Sequence, residues 1–164
     1  MAAGATYVSI ASTTLGSAAA SITFSSISGS YTDLFLVFTG GTATSSMDVA
    51  YQVNGDTGSN YSATYILNYG SSVSSGRESG ATYATVGTLT ERFGIGTLHF
   101  MSYSNSTTYK TAVGSNFGNT DYKTATSSTL WRSTAAITSI SIINLQSRQF
   151  ATGSTLALYG IAAA

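Results

Sequence analysis

The chain contains no cysteine and no proline. Without cysteine there is no disulfide framework, no thiol nucleophile and no thiolate metal ligand, which suits assembly in a reducing cytoplasm. Charge is scarce as well: 7% of residues are charged, against about 25% in an ordinary soluble domain. Six bases (Arg77, Arg92, Lys110, Lys123, Arg132, Arg148) balance six acids (Asp33, Asp48, Asp56, Glu78, Glu91, Asp121). No basic cluster stands out, so neither nucleic acid nor an anionic membrane is expected as a partner. No apolar run approaches the ~20 residues of a membrane span. The opening MAAGATYVSIAS lacks the basic and hydrophobic regions of a secretory signal. There is a single histidine, His99, and no G-x-S-x-G elbow, which leaves a serine triad or zinc site without companions.

What is abundant is hydroxyl. The 164 residues include 28 Ser and 26 Thr, about a third of the chain, with 17 Gly and 11 Tyr. Hydrophobic residues still make up 43%, enough to form a core and to exclude a disordered chain. That palette, cut into short apolar runs by Gly, Ser and Asn, is that of a turn-rich β protein. Ala20–Ile27 alternates Ile22 and Phe24 against Ser21 and Thr23, and Met47–Val53 alternates Met47, Val49, Tyr51 and Val53 against Asp48, Ala50 and Gln52. Further strands are expected at Tyr7–Ile10, Tyr61–Tyr69, Ala81–Leu89, Ile95–Tyr103, Thr108–Asn116, Asp121–Arg132, Ala136–Leu145 and Thr155–Ile161. A hairpin is expected at Asn54-Gly55, a mobile loop at Gly70–Gly80, and a turn at Phe117–Thr120. The expectation is all-β: an antiparallel β-sandwich or jelly roll of about eight to ten short strands, with no substantial helix. Residues 1–12 would be an N-terminal arm or first short strand, and residues 13–164 a single sandwich domain.

Leu34–Phe38 (LFLVF) breaks the alternation. Leu34, Leu36 and Phe38 would point to one face, Phe35 and Val37 to the other, so both faces need cover. One is expected to be the sandwich core. The other would lie under a loop, a chain terminus or a second copy of the protein. Phe35 and Val37 are therefore candidate interface residues. Trp131 and Arg132 join them as an aromatic anchor beside a fork of donors, although a core tryptophan at a strand end fits the sequence equally.

The remaining chemistry is sparse. His99, among Leu98, Phe100 and Met101, reads as a packing or hydrogen-bonding residue. Asp48 and Asp56 flank the Asn54-Gly55 turn and could approach as the carboxylate pair of a glycosidase, with turn capping by Asp56 the favoured reading. Asn54, Asp56 and Asn60 make a poor calcium loop, and Gly94-Ile95-Gly96 lacks the lysine and helix of a phosphate cradle. The tyrosines (Tyr31, Tyr51, Tyr61, Tyr65, Tyr69, Tyr83, Tyr103, Tyr109 and Tyr122 among them) suit an adaptable binding surface or plain strand propensity. No cofactor and no metal are expected.

Thr14–Ile27 (TLGSAAASITFSSI), Tyr31–Gly40 (YTDLFLVFTG), Val53–Ser62 (VNGDTGSNYS), Leu130–Ile142 (LWRSTAAITSISI) and the terminal TLALYGI together resemble a family of small β-sandwich virion proteins of tailed bacteriophages. Capsid cement proteins and tail-fibre modules occur in it. The resemblance implies a non-enzymatic structural role with no catalytic residues to carry over. It implies a decoration protein on the capsid surface, assembled in the host cytoplasm, with the major capsid protein and copies of itself as partners in a dimer or trimer. A single self-contained domain without a fibre shaft agrees with that expectation. The alternative within the family is a tail-fibre or receptor-binding module for host glycan. A carbohydrate-active enzyme comes third.

Overall fold

The computed structural model describes residues 6–117 and 123–162. The expected turn at Phe117–Thr120 thus falls largely outside the described residues, as do Asp121, Tyr122 and the first five residues of the expected arm.

Twelve strands form two antiparallel sheets, and there is no helix among the described residues. In chain order they are β1 (Tyr7–Thr14), β2 (Ser21–Phe24), β3 (Asp33–Gly40), β4 (Met47–Val53), β5 (Tyr61–Tyr69), β6 (Val73–Ala81), β7 (Ala84–Leu89), β8 (Gly94–Met101), β9 (Lys110–Phe117), β10 (Lys123–Trp131), β11 (Ile140–Asn144) and β12 (Thr155–Ile161). The large sheet runs β1-β12-β3-β8-β9-β10-β5-β6, and the small one β2-β11-β4-β7. They pack face to face as a β-sandwich.

The period of two decides what each sheet buries. Leu34, Leu36 and Phe38 of β3, Leu98 and Phe100 of β8, and Leu156 and Leu158 of β12 face inward from the large sheet. Ile22, Phe24, Met47, Val49, Tyr51, Val53, Ile140 and Ile142 meet them from the small one. Tyr51 sits at the centre, edge-on to Phe100 (ring centroids 5.0 Å) and to Tyr61 (6.4 Å). Its hydroxyl donates to Thr129 Oγ1 at 2.7 Å, and Thr129 in turn donates to the Ala112 carbonyl at 3.1 Å. A tyrosine buried this deeply is tolerable because its polar end is bonded.

Two expectations fail for instructive reasons. Asn54 and Gly55 adopt φ of 53° and 66°, and Asp56 N–H closes the turn on the Val53 carbonyl at 2.9 Å. The tight turn is present but makes no hairpin, because β4 belongs to the small sheet and β5 to the large one. The Asn54 side chain is spent on the crossing: Oδ1 accepts the Thr138 and Ser139 N–H groups, and Nδ2 donates to the Ala136 carbonyl. Second, Gly70–Gly80 is not a loop. Residues 73–81 are an edge strand held by β5, and its exposed residues include Ser74, Ser75, Ser79 and Gly80, which hid the pattern.

Candidate interaction surface

The strand registers define the outward face of the large sheet. One row across it carries Tyr159, Phe35, His99, Val113, Ser128, Thr64 and Arg77; the next carries Ala157, Val37, Thr97, Ser115, Thr126, Ile66 and Ser75. Of the eight large apolar side chains exposed among the described residues, six stand on this face: Tyr7, Ile66, Val73, Ile95, Met101 and Val113. Phe35 and Val37 are half-buried there. The Phe35 ring is flanked edge-on by Tyr7 at 5.9 Å and His99 at 6.0 Å, so β1 and β8 shield it laterally and leave its outer edge to solvent.

The face is not uniform. Apolar and aromatic groups gather on β1, β12, β3, β8 and β9. Hydroxyls dominate on β10, β5 and β6. Its titratable groups other than tyrosine are few: Asp33, His99 and two arginines, Arg77 and Arg132. His99 Nε2–H donates to Asp33 Oδ2 at 2.9 Å, and the Ser102 N–H donates to Asp33 Oδ1 at 2.7 Å. Eight strands at about 4.8 Å and seven residues at about 3.3 Å make the face about 34 by 23 Å, or about 780 Å². A standard protein–protein interface buries about 800 Å² per partner.

Of the four residues singled out from sequence, Phe35 and Val37 stand on this face. Trp131 does not. It is 3% exposed and packs in the core. Its indole N–H finds an internal acceptor, donating to Asp56 Oδ2 at 2.6 Å. Asn60 Nδ2 (2.9 Å) and the Gly58 N–H (2.8 Å) converge on the same carboxylate. The Trp131 donor beside it holds the Asp56 carboxyl below its usual range, against partial desolvation. Arg132 is half-buried and staples β5 to β6: Nη2 donates to Ser62 Oγ at 2.8 Å and Ser79 Oγ at 3.3 Å, and Nη1 to the Tyr61 carbonyl at 3.4 Å.

Asp48 stands at the start of β4 and Asp56 in the turn beyond its far end, and the two do not pair. Asp48 instead shares a cleft of about 370 Å³ with Glu78, beneath the β5–β6 overhang, a proximity the sequence did not suggest. Thr88 donates to Asp48 at 2.8 Å and Thr85 to Glu78 at 2.8 Å. Gln146 clasps Asp48 from the other side. The oxygens of Asn54 and Asp56 are committed within the fold, and no group of three or more His, Asp or Glu among the described residues could hold a metal ion. Gly94-Ile95-Gly96 lies inside β8, where the Phe38 ring lies over Gly96. Tyr51, Tyr61 and Tyr103 are core residues with bonded hydroxyls; burial raises the pKa of each, and Tyr61 is pushed up to about 12. The Tyr69 side chain lies outside what is described.

No family model matches the sequence, and no curated protein does. Among solved structures, the chain is similar to a mutant of the alginate lyase Aly36B in complex with alginate tetrasaccharide, at 10% identity, with 93% of this chain and 80% of that one covered and a TM-score of 0.34. At that TM-score the likeness carries no argument about what this chain does. The result that stands is the architecture: two packed antiparallel sheets, with large apolar side chains exposed among the described residues on the outer face of the larger.

Proposed function

We propose that the chain is a non-enzymatic structural protein of a bacteriophage virion, a capsid decoration protein that docks through the outer face of its large sheet. The observation that carries this reading is that face: near-standard interface area, half apolar, almost free of charge. Docking there desolvates few ions, so the burial of apolar surface, at about 25 cal/mol per Å², is opposed by little polar cost. Repeated over a shell, such contacts add stability without chemistry. The virion setting rests on the resemblance of Thr14–Ile27, Val53–Ser62 and Leu130–Ile142 to phage sandwich proteins.

The test is a pair of substitutions on the exposed face, Val37→Asp with Val113→Asp, set against the unmodified chain in binding to particles stripped of it. The unmodified chain should occupy the shell in many copies, and the double variant, folded by circular dichroism, should not. Equal binding by both, or absence of the chain from intact particles, would sink the reading. A second reading is a tail-fibre module recognising host glycan, favoured by the hydroxyl-rich half of the same face. Few copies per particle, located at the tail, would select it.

A further inference from the structure

At the β10–β5–β6 end of the outer face lies a shallow depression of about 650 Å³. Two of the chain's six bases, Arg77 and Arg132, meet there, and no acid lines it. Ser62, Ser79, Thr64 and Ser128 complete the wall. The register explains the convergence. Ser62 pairs with Ser79 and Thr64 with Arg77, and Ser128 pairs with Thr64, so these side chains share one face in adjacent rows. Arg132 follows β10 directly and bonds both Ser62 and Ser79.

Among the described residues, neither arginine has an acidic partner. The one contact of a basic side chain with a carboxylate among the described residues is His99–Asp33, two strands beyond β10 and further. Glu78, next to Arg77 in sequence, points to the opposite side of β6, where Thr85 binds it. Arg77 makes no hydrogen bond among the described residues. Arg132 uses three of its five N–H donors inside the fold and keeps two. In a chain with 7% charged residues, two unpaired guanidinium groups in one hydroxyl-lined hollow form a local site for an oxyanion.

We infer that this depression binds an acidic saccharide, its carboxylate held by the arginine pair and its ring hydroxyls by the serines and threonines. Guanidinium groups match a carboxylate in geometry and charge. Each Ser or Thr hydroxyl both donates and accepts, as a sugar hydroxyl does. The volume lies within the usual range for small-molecule sites, about 300–1,000 Å³, and exceeds what a lone oxyanion fills. No aromatic ring lines the hollow to stack a nucleobase, and two bases on a chain of zero net charge are too few to follow a phosphate backbone. The inference gives the glycan reading its ligand class, rests on that reading, and does not need the decoration role.

The experiment titrates the whole chain, labelled with nitrogen-15, with trigalacturonate, followed by amide shifts and calorimetry. Maltotriose serves as the uncharged control, and acetate and sulfate as free oxyanions. The expected result is saturable binding of trigalacturonate, with shifts confined to β5, β6 and residues 128–132. Arg77→Gln should weaken it by about tenfold or more, and added salt should weaken it further. Arg77 has no hydrogen-bond or ion-pair partner among the described residues, so this variant keeps its fold; Thr64→Val is the second, uncharged probe and should weaken binding several-fold. The inference is overturned if trigalacturonate does not bind saturably, or if acetate or sulfate binds as well as the saccharide. Binding of maltotriose at equal strength overturns it too, while leaving glycan recognition itself standing. An Arg77→Gln variant that binds trigalacturonate normally but loses self-association also overturns it, in favour of a protein contact.

Discussion

The carboxylate of Asp56 is the best place to break this fold with one substitution, because three donors converge on it and one is buried. In Asp56→Ala the Trp131 indole N–H, on a side chain only 3% exposed, has no acceptor. An orphaned buried donor costs about 1–3 kcal/mol. The Gly58 N–H and Asn60 amide lie nearer solvent, and water replaces most of what they lose. The expected destabilisation is about 2 kcal/mol, which for a domain of this size lowers Tm by about 4–8 °C. The sign of the pH dependence follows from the lowered pKa. Asp56 binds its proton less readily folded than unfolded, so its contribution is complete above its ordinary value of 3.8 and disappears as pH falls through the folded pKa. The gap between the unmodified chain and Asp56→Ala should therefore be widest near neutrality and close in acid. Trp131 is the only tryptophan. Its emission should change as Asp56 takes up a proton and stay flat over that range in Asp56→Asn. Thermal unfolding followed by circular dichroism and by this emission measures both effects. A Tm within about 1 °C of the unmodified chain, or a gap that persists unchanged in acid, would refute the argument.

Three further outcomes are expected. Ser127 Oγ is buried with no hydrogen-bond partner among the described residues, so Ser127→Ala should leave stability unchanged or raise it by up to about 1 kcal/mol in denaturant titration; a clear loss would mean the hydroxyl is bonded. A Cβ on Gly96 would come within 1.9 Å of the Phe38 ring, so Gly96→Ala should cost about 1–3 kcal/mol, whereas Gly16→Ala, with nothing within 4 Å, should cost none of this. The pKa of Tyr61 is pushed up from 10.0 to about 12 by burial, so its contribution is full below pH 10 and is lost as pH rises toward 12; stability measured across that interval should fall in the unmodified chain and less in Tyr61→Phe.

Much of the sandwich could be read locally. In β2 and β4 the alternation of apolar and polar residues names the buried face, and both faces are as expected. Leu34–Phe38 is apolar on both sides because it lies in mid-sheet: Leu34, Leu36 and Phe38 face the core, and Phe35 and Val37 are half-shielded on the outer face by neighbouring strands. β6 was illegible because its ladder comes from β5 and its side chains, Val73, Ser74, Ser75, Gly76, Arg77, Glu78, Ser79 and Gly80, bury almost nothing. Asn54-Gly55 encodes a tight turn but not which sheet the next strand joins. Trp131 was ambiguous for a related reason: the acceptor that lets it sit inside, Asp56, is 75 residues away. The arginine hollow depends on the joint register of β10, β5 and β6, a property of pairing and not of any single segment.

The place of β12 has a kinetic meaning. It lies between β1 and β3, and Tyr7 pairs with Ile161, so the large sheet cannot close along that side until residues 155–161 arrive. The earlier strands must wait with two ladder edges open, and contacts this distant in sequence form slowly. During that interval β3 is a bare, greasy template for any neighbouring chain. Crowding at the site of synthesis, and anything that delays residues 155–161, would thus decide how much of the protein ends up folded and how much sticks to its own kind.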